Sequence, residues 1–296
     1  MIYNSRMICQ IRSDCLITYA QNCYGSQLTE DKKRLMLQRM LEASKLKYSG
    51  KLKEGTKKRM SKAIDLLIQI SKKQKGWNQV TQKYSNHRLS FITLTIPPVE
   101  LLTAETGYQK LLKHFLQWLR RTIKVKTYIW KAEFQKNKQL HYHITTPGWI
   151  HFQLIKDKWN NLLWKSSLTS EYFKKYGHHN PNSTDIREVK NIENLSSYLK
   201  KEYCKTIQNQ PTSGKIWDCS LNLKDNKYFT LELDYQLINK IMSDVSRGIF
   251  TKIELDQCNI YKAANKKYIQ GVLTLGQIQQ YENYLNSIKN YKRIND

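Results

Sequence analysis

Apolar and polar positions alternate over residues 89–96 and stop at Pro97-Pro98, which predicts a strand. Tyr108, Leu111, Leu112, Phe115 and Leu119 then recur at the i, i+3, i+4, i+7 spacing of a helix that ends in Arg120-Arg121. Two further apolar runs, 126–135 and 139–146, flank a polar, Lys-rich turn and predict a β-hairpin closed by Pro147-Gly148. A helix over 152–164 follows, with Leu154, Ile155, Trp159, Leu162 and Leu163 inward. An irregular segment through His178-His179-Asn180-Pro181 leads to a strand at 185–189, a helix at 192–205 and a strand at 215–220. The order βαββαβαβ is that of an antiparallel sheet with helices packed on one face, an α+β arrangement.

Upstream of this segment, residues 1–28 show no clear period. A helix over 29–47 is predicted by Leu37, Met40, Leu41 and Ser44, and another over 56–73 by Met60, Ile64, Leu67 and Ser71, flanked by Ala63 and Ile70. This helical pair has a strongly basic outer face. It reads equally as a DNA-contacting extension or as a solvated hairpin packed on the rest of the protein. Downstream, 228–233 alternates and 275–288 is amphipathic through Ile278, Tyr281, Tyr284, Leu285 and Ile288. Three segments are therefore expected: a basic helical extension at 1–85, a central domain at 86–223 and a mixed α/β segment at 224–296 packed on it.

A formal net charge of +26, from 50 Lys+Arg against 24 Asp+Glu, implies a polyanionic partner whose affinity falls steeply with salt. A membrane surface competes with nucleic acid for that role. No run of about 18 apolar residues is present, however, and Arg6, Arg12 and Asp14 interrupt the N-terminal stretch, so a cytoplasmic protein without a membrane partner is expected. Cys9, Cys15, Cys23, Cys204, Cys219 and Cys258 are scattered without C-x-x-C pairs and are expected as free thiols, with a zinc site on the first three as the minor alternative. No G-x-x-x-x-G-K-[ST] occurs, so a phosphate-cradling ATPase loop is absent from the sequence.

The candidate chemistry centres on His141-Tyr142-His143. On a strand, His141 and His143 project to one face and Leu140, Tyr142 and Ile144 to the other. Two imidazoles side by side begin a metal site, and Glu133 on the partner strand would complete three ligands with open positions, the catalytic pattern. A half-buried strand whose histidines merely face solvent has the same spacing. For Glu133 to share their face, the hairpin needs a three-residue loop or a bulge, since a two-residue turn at Asn137-Lys138 would turn it away. Gln135 is the lesser candidate ligand and His151 a reserve one. His87, His114 and the His178-His179 pair are expected to be structural or surface residues.

Phe91-Ile92-Thr93-Leu94-Thr95, His141-Tyr142-His143 and Tyr198-Leu199-Lys200-Lys201 occur in that order. Together they resemble the three motifs of the HUH endonucleases that initiate rolling-circle replication: a FxTLT strand, a H-hydrophobic-H strand and a Y-x-x-K helix. The tyrosine follows the histidines, as in Rep proteins and single-tyrosine transposases, and unlike relaxases. Lys131-Ala132-Glu133-Phe134-Gln135, Asp185-Ile186-Arg187 and Gly214-Lys215-Ile216-Trp217 read as connecting segments of the replication-associated proteins of small phages and plasmids. The resemblance spans about residues 88–223 and implies an HUH-type, ferredoxin-like (RRM-like) sheet whose open face is left for DNA. It implies Mn2+ or Mg2+ held by His141, His143 and Glu133, with Tyr198 as nucleophile and Lys201 beside it.

The implied activity is that of a metal-dependent nickase and strand transferase. It would cut single-stranded or hairpin origin DNA through a 5′-phosphotyrosine, in the cytoplasm of a bacterial host or at a host-cell replication site, with host helicase and polymerase as partners. Tyr203 is a candidate second tyrosine. At five residues from Tyr198 it lies about 140° round the helix, where two-tyrosine Rep proteins place theirs four residues on, so a single-tyrosine mechanism is expected. Arg120, Arg121 and Lys131 are candidate DNA contacts, as are Trp130 and Trp217, which are core residues by default and would stack on an unpaired base only from the sheet's open face. A single-tyrosine transposase, a non-catalytic nucleic-acid-binding protein and a hydrolytic nuclease are the alternatives.

Overall fold

The computed structural model describes residues 5–22, 53–72, 74–78, 82–97, 102–135, 139–189, 195–204, 214–264 and 267–291, with isolated positions between 30 and 39. The helix expected over 29–47 lies largely outside the described residues. In chain order the elements begin with β1 (Ser5–Ile11), β2 (Cys15–Asn22), α1 (Glu54–Ile70), β3 (Gln74–Asn78), β4 (Lys83–His87) and β5 (Leu89–Thr95). Next come α2 (Ala104–Gly107), a π-helical stretch (Tyr108–Leu112), α3 (Lys113–Arg121), β6 (Ile129–Phe134), β7 (Leu140–Pro147), α4 (Phe152–Lys165) and α5 (Ser170–Tyr176). The chain continues with β8 (Thr184–Glu188), α6 (Leu195–Cys204), β9 (Trp217–Cys219), α7 (Leu221–Asp225), β10 (Phe229–Glu232) and α8 (Tyr235–Ser246). It ends with β11 (Phe250–Leu255), β12 (Cys258–Ala263), α9 (Lys267–Gly271) and α10 (Leu275–Lys289).

Two compact units result, residues 1–49 with 228–282 and residues 50–227 with 283–296. This division cuts across the three segments expected from sequence. The reason is strand pairing: β1 and β2 join an antiparallel five-stranded sheet of order β10-β1-β2-β12-β11, so the two ends of the chain share one sheet. Residues 5–22 are therefore strand where no period was legible. In β1 only the Cys9 and Ile11 end is buried, while Ser5 to Met7 are exposed, which leaves too short an alternation to read. Within this unit α8 starts at Asp234, whose carboxylate accepts from Leu237 N at 2.7 Å, and buries Leu237 and Ile241.

In the second unit the helix expected at 56–73 is present as α1. Its predicted stripe is buried, together with Leu66, Ile68 and Asp65, while Lys58 and Arg59 near its start are exposed. The central segment has the predicted βαββαβαβ order, with α5 added in the stretch read as irregular. Its sheet is antiparallel, of order β8-β5-β7-β6-β9. Ile92 and Leu94 of β5, Leu140, Tyr142 and Ile144 of β7, and Trp130 and Ala132 of β6 form one core with Leu111, Phe115 and Leu119 and with Ile155, Trp159 and Leu163. The helices that bear Phe115 and Trp159 thus cover this face of the sheet. The opposite face is not wholly open, because α6 lies against it, as described below.

The approach of the α2 region to the sheet is close. A Cβ placed on Gly107 would lie 2.5 Å from Tyr142 Oη and 2.6 Å from Leu140 Cδ2. Both neighbours are in the packed interior, so neither can swing into solvent. Gly107 has helical φ and ψ, so its small size and not its flexibility is what the site uses. Gly107→Ala is expected to destabilise the protein by about 1–3 kcal/mol through overpacking. Urea unfolding would measure it, and a wild-type midpoint would show that the helix can back away at no cost.

Candidate active site

The register of three strands assembles the candidate ligands. β7 pairs with β6 so that Glu133 stands opposite His141 and Phe134 opposite Leu140, and Gln135 N donates to Gln139 O at 2.9 Å. Three residues, 136–138, therefore separate the paired positions, the loop length that turns Glu133 to the histidine face; the loop itself lies outside the described residues. On the other side, β5 places Thr93 opposite His143 and Thr95 opposite His141. The two threonine hydroxyls reach Nδ1 of the same histidines, at 3.2 Å for Thr93–His143 and 3.1 Å for Thr95–His141. Phe91, next along that face of β5, stacks on the His143 ring at 5.2 Å.

With each Nδ1 occupied by a hydroxyl, the Nε2 atoms are turned to the site. His143 Nε2 lies 3.0 Å from Glu133 Oε2. His141 Nε2 is buried with no hydrogen-bond partner among the described residues. Burial, and secondarily the neighbouring His143, pushes the His141 imidazole down to about 4, against the opposing pull of Glu133. At neutral pH His141 is thus uncharged and offers an Nε2 lone pair. A threonine hydroxyl can accept from Nδ1–H, which leaves that lone pair free to coordinate.

Two imidazole nitrogens, one an orphan, and one carboxylate oxygen fit a divalent cation as a donor set. As they stand the three are not spaced as a closed cage; among the described residues no such cluster of His, Cys, Asp or Glu is formed. Glu133 is engaged with His143. Gln135 is exposed at the strand end, and His151 caps α4 by accepting from Gln153 N at 3.2 Å, which gives it a structural role in place of the reserve one. His178 Nδ1 likewise accepts from Asn180 N, and His179 stacks on Phe173.

The tyrosine helix α6 lies on the histidine face. Tyr203 is 1% exposed, and its hydroxyl bonds Thr145 Oγ1 at 2.9 Å and donates to Ile129 O at 3.2 Å. Thr145 follows His141 and His143 at the same alternation on β7. Tyr203 is therefore the pin that holds α6 on the sheet. Tyr198, rotated away from it as its five-residue spacing predicts, is 53% exposed. Lys201 is exposed as well.

A residue that sequence reasoning missed fixes the other side of α6. Asp65 of α1 has no exposed surface. Its Oδ1 accepts from Ser196 Oγ at 2.7 Å and pairs with Lys200 Nζ at 2.8 Å, one partner two residues to each side of Tyr198. α1 is in turn tied to the start of β5, since Arg88 donates to Ser71 O and Ile68 O at the end of that helix. The one signal available in the sequence was a carboxylate placed inside an apolar helical stripe, Ile64-Asp65-Leu66-Leu67.

Residues 89–207 match the family model of the ORF2-type replication-associated proteins. The matched stretch takes in β5, the histidine strand and the tyrosine helix but leaves out α1 and its Asp65, and it covers less than half of the chain. The match supports a replication initiator protein of a small replicon and with it the binding of origin DNA. No curated protein and no solved structure matches the chain. No helix among the described residues is long and apolar enough to cross a membrane.

Of the candidate DNA contacts, two are withdrawn by burial. Trp130 is 2% exposed and wedged between Tyr108 and Tyr142 in the core, because even-numbered positions of β6 face the helices. Lys131 is also 2% exposed, opposite His143. Trp217 is half-buried on edge strand β9, opposite Lys131, and Arg120 and Arg121 are exposed. Cys9 and Cys219 are free, buried thiols, each pushed up to about 12 by burial and so protonated, while Cys23 lies outside the described residues.

Two outcomes follow from the site. Replacing Asp65 with Ala strands Lys200 and Ser196; because Lys200 is partly solvated, the cost is expected at about 2–3 kcal/mol, below the full penalty of a deeply buried pair. A loss under 0.5 kcal/mol in chemical denaturation would refute that anchor. His141 takes its proton near pH 4 in the folded chain and near 6.5 when unfolded, so its contribution to stability is lost as pH falls from 6.5 toward 4. Imidazole 15N shifts are expected to report a neutral His141 at pH 5.5.

Proposed function

We propose that the protein is an HUH-type endonuclease that nicks and rejoins one DNA strand at a replication origin. The observation that carries this reading is the pair His141 and His143, with Glu133 beside them, on the sheet face along which the helix of exposed Tyr198 is pinned. The three would hold a divalent cation, Mn2+ or Mg2+, which when bound supplies positive charge to the oxygens of the scissile phosphate. The remaining work belongs to the chain.

Thr93 and Thr95 fix the tautomer and ring orientation of the histidines, and Phe91 limits the tilt of His143. Tyr198 Oη attacks phosphorus, forming the tyrosine–phosphate bond as the bond from phosphorus to the 3′ oxygen breaks. The phenol gives up its proton and the departing 3′ oxygen gains one. A phenol is a weak nucleophile until a nearby cation or base assists it, and Lys201, one helical turn on, is the cation that would orient the attack. No water enters, so the free 3′-OH can prime synthesis and the link can be reversed by a later 3′ end. Tyr203 takes no part, since its hydroxyl is committed to Thr145 and Ile129.

The test is incubation of the full chain with labelled single-stranded origin DNA and Mn2+, followed by a denaturing gel. A protein–DNA adduct is expected from wild type and from Tyr203→Phe, and none from Tyr198→Phe, His141→Ala or the wild type in EDTA. Cleavage without an adduct would replace transesterification by hydrolysis. Salt-sensitive binding without cleavage would leave a binding protein.

A further inference from the structure

Behind the sheet, on the helical side, α3 and α4 enclose a groove of about 550 Å3 lined by Lys110, His114, Trp118, Arg121, Lys158 and Lys165, with no carboxylate in its lining. Elsewhere some cations of this chain sit against acids, as in Lys57–Glu54, Lys174–Glu171, Arg187–Asp185 and Lys215–Asp218. The acids nearest in sequence to the groove are turned to other partners: Glu105 accepts from Gln109 at 2.9 Å and Asp157 from Gln153 at 2.6 Å. Four cations and an imidazole thus share one concavity, and the crowding is felt within it. Half-buried Lys158 is pushed down from the usual lysine range, first by burial and then by Lys165. A concave patch of one sign concentrates the opposite charge, and an anion in it would relieve the repulsion among its walls.

We propose that this groove is a second DNA site, which holds phosphates of duplex DNA on the face of the domain opposite the histidines. That the polyanion is DNA rests on the replication reading above; the groove itself does not depend on Tyr198 chemistry. Duplex is favoured over single strand because the lining offers cations and a single indole, whereas single strands are gripped through rows of aromatic platforms. The core that separates the groove from His141 and His143 means that phosphates bound here are not those being cut. The site would instead anchor the double-stranded DNA that flanks the nicked segment.

The experiment compares the full-length triple variant Lys110→Gln/Lys158→Gln/Lys165→Gln with a control triple at exposed positions, Lys72→Gln/Lys240→Gln/Lys262→Gln. Fluorescence anisotropy is recorded on a duplex and on a single-stranded oligonucleotide from 50 to 300 mM salt. For the groove variant the slope of log Kd against log salt on duplex is expected to fall by about 2–3, at roughly 0.9 per lost phosphate contact. The control should shift by less than 1, and adduct formation on a short single strand should be unchanged in both. Equal slopes for the two variants, or a loss confined to the single-stranded probe, would overturn the assignment. Absence of any adduct with wild type would count against the nicking reading and leave the groove to be judged on the duplex slopes alone.

Discussion

The register of β6 on β7 on β5 is the constraint on which the site depends. Side chains on a strand alternate faces, so a slip of one residue in either pairing would send a ligand or its supporting hydroxyl into the core. In the observed register Thr95, His141 and Glu133 stand in one row across the sheet, and Thr93 and His143 start the next. The FxTLT and H-x-H motifs are thus one motif read in two directions: every polar residue of the first supports a polar residue of the second. The alternate residues, Ile92, Leu94, Tyr142 and Ile144, make the pairing hard to disturb because they are locked beneath the helices.

The tyrosine helix is held in a different manner. Besides buried Leu199 and the Tyr203 ring, it has two polar attachments, the Tyr203 hydroxyl on Thr145 and Ile129 and the Asp65 carboxylate on Ser196 and Lys200. Buried polar bonds of this sort fix direction more than they add stability, since both partners gave up water to form them. Direction is what an exposed side chain between them needs. Lys200, rather than Lys201, carries the structural ion pair, so two adjacent lysines divide anchoring from solvent-facing duty.

Much of the central unit was legible because its signals are local. Alternation gave the strands, i, i+4 spacing gave the helices, and the odd loop followed from asking Glu133 to face the histidines. In the first unit the alternation at 228–233 is β10, but β1 and β2 were not legible: beyond their pairing with each other, their outer partners β10 and β12 lie near the far end of the chain, and no local period encodes a pairing over that separation. Of the proposed DNA contacts, Trp130 is turned into the core by the same alternation that was applied to His141 and His143, whereas Lys131 shares the histidine face opposite His143 and is buried there, which alternation alone does not reveal. Asp65 needed both a helix and its neighbour in three dimensions before it meant anything.

The dependence of α6 on α1 bears on how such a protein can be divided or exchanged. The matched stretch, 89–207, contains every residue given a chemical role, yet the carboxylate that secures its tyrosine helix lies upstream, and Arg88, at the boundary, ties the two together. A segment cut at the family boundary would carry the motifs and lose their brace. The smallest piece able to pass between replicons as a working module is therefore longer than the homologous block, and recombination joints are better tolerated before Glu54 than between Ser71 and Leu89.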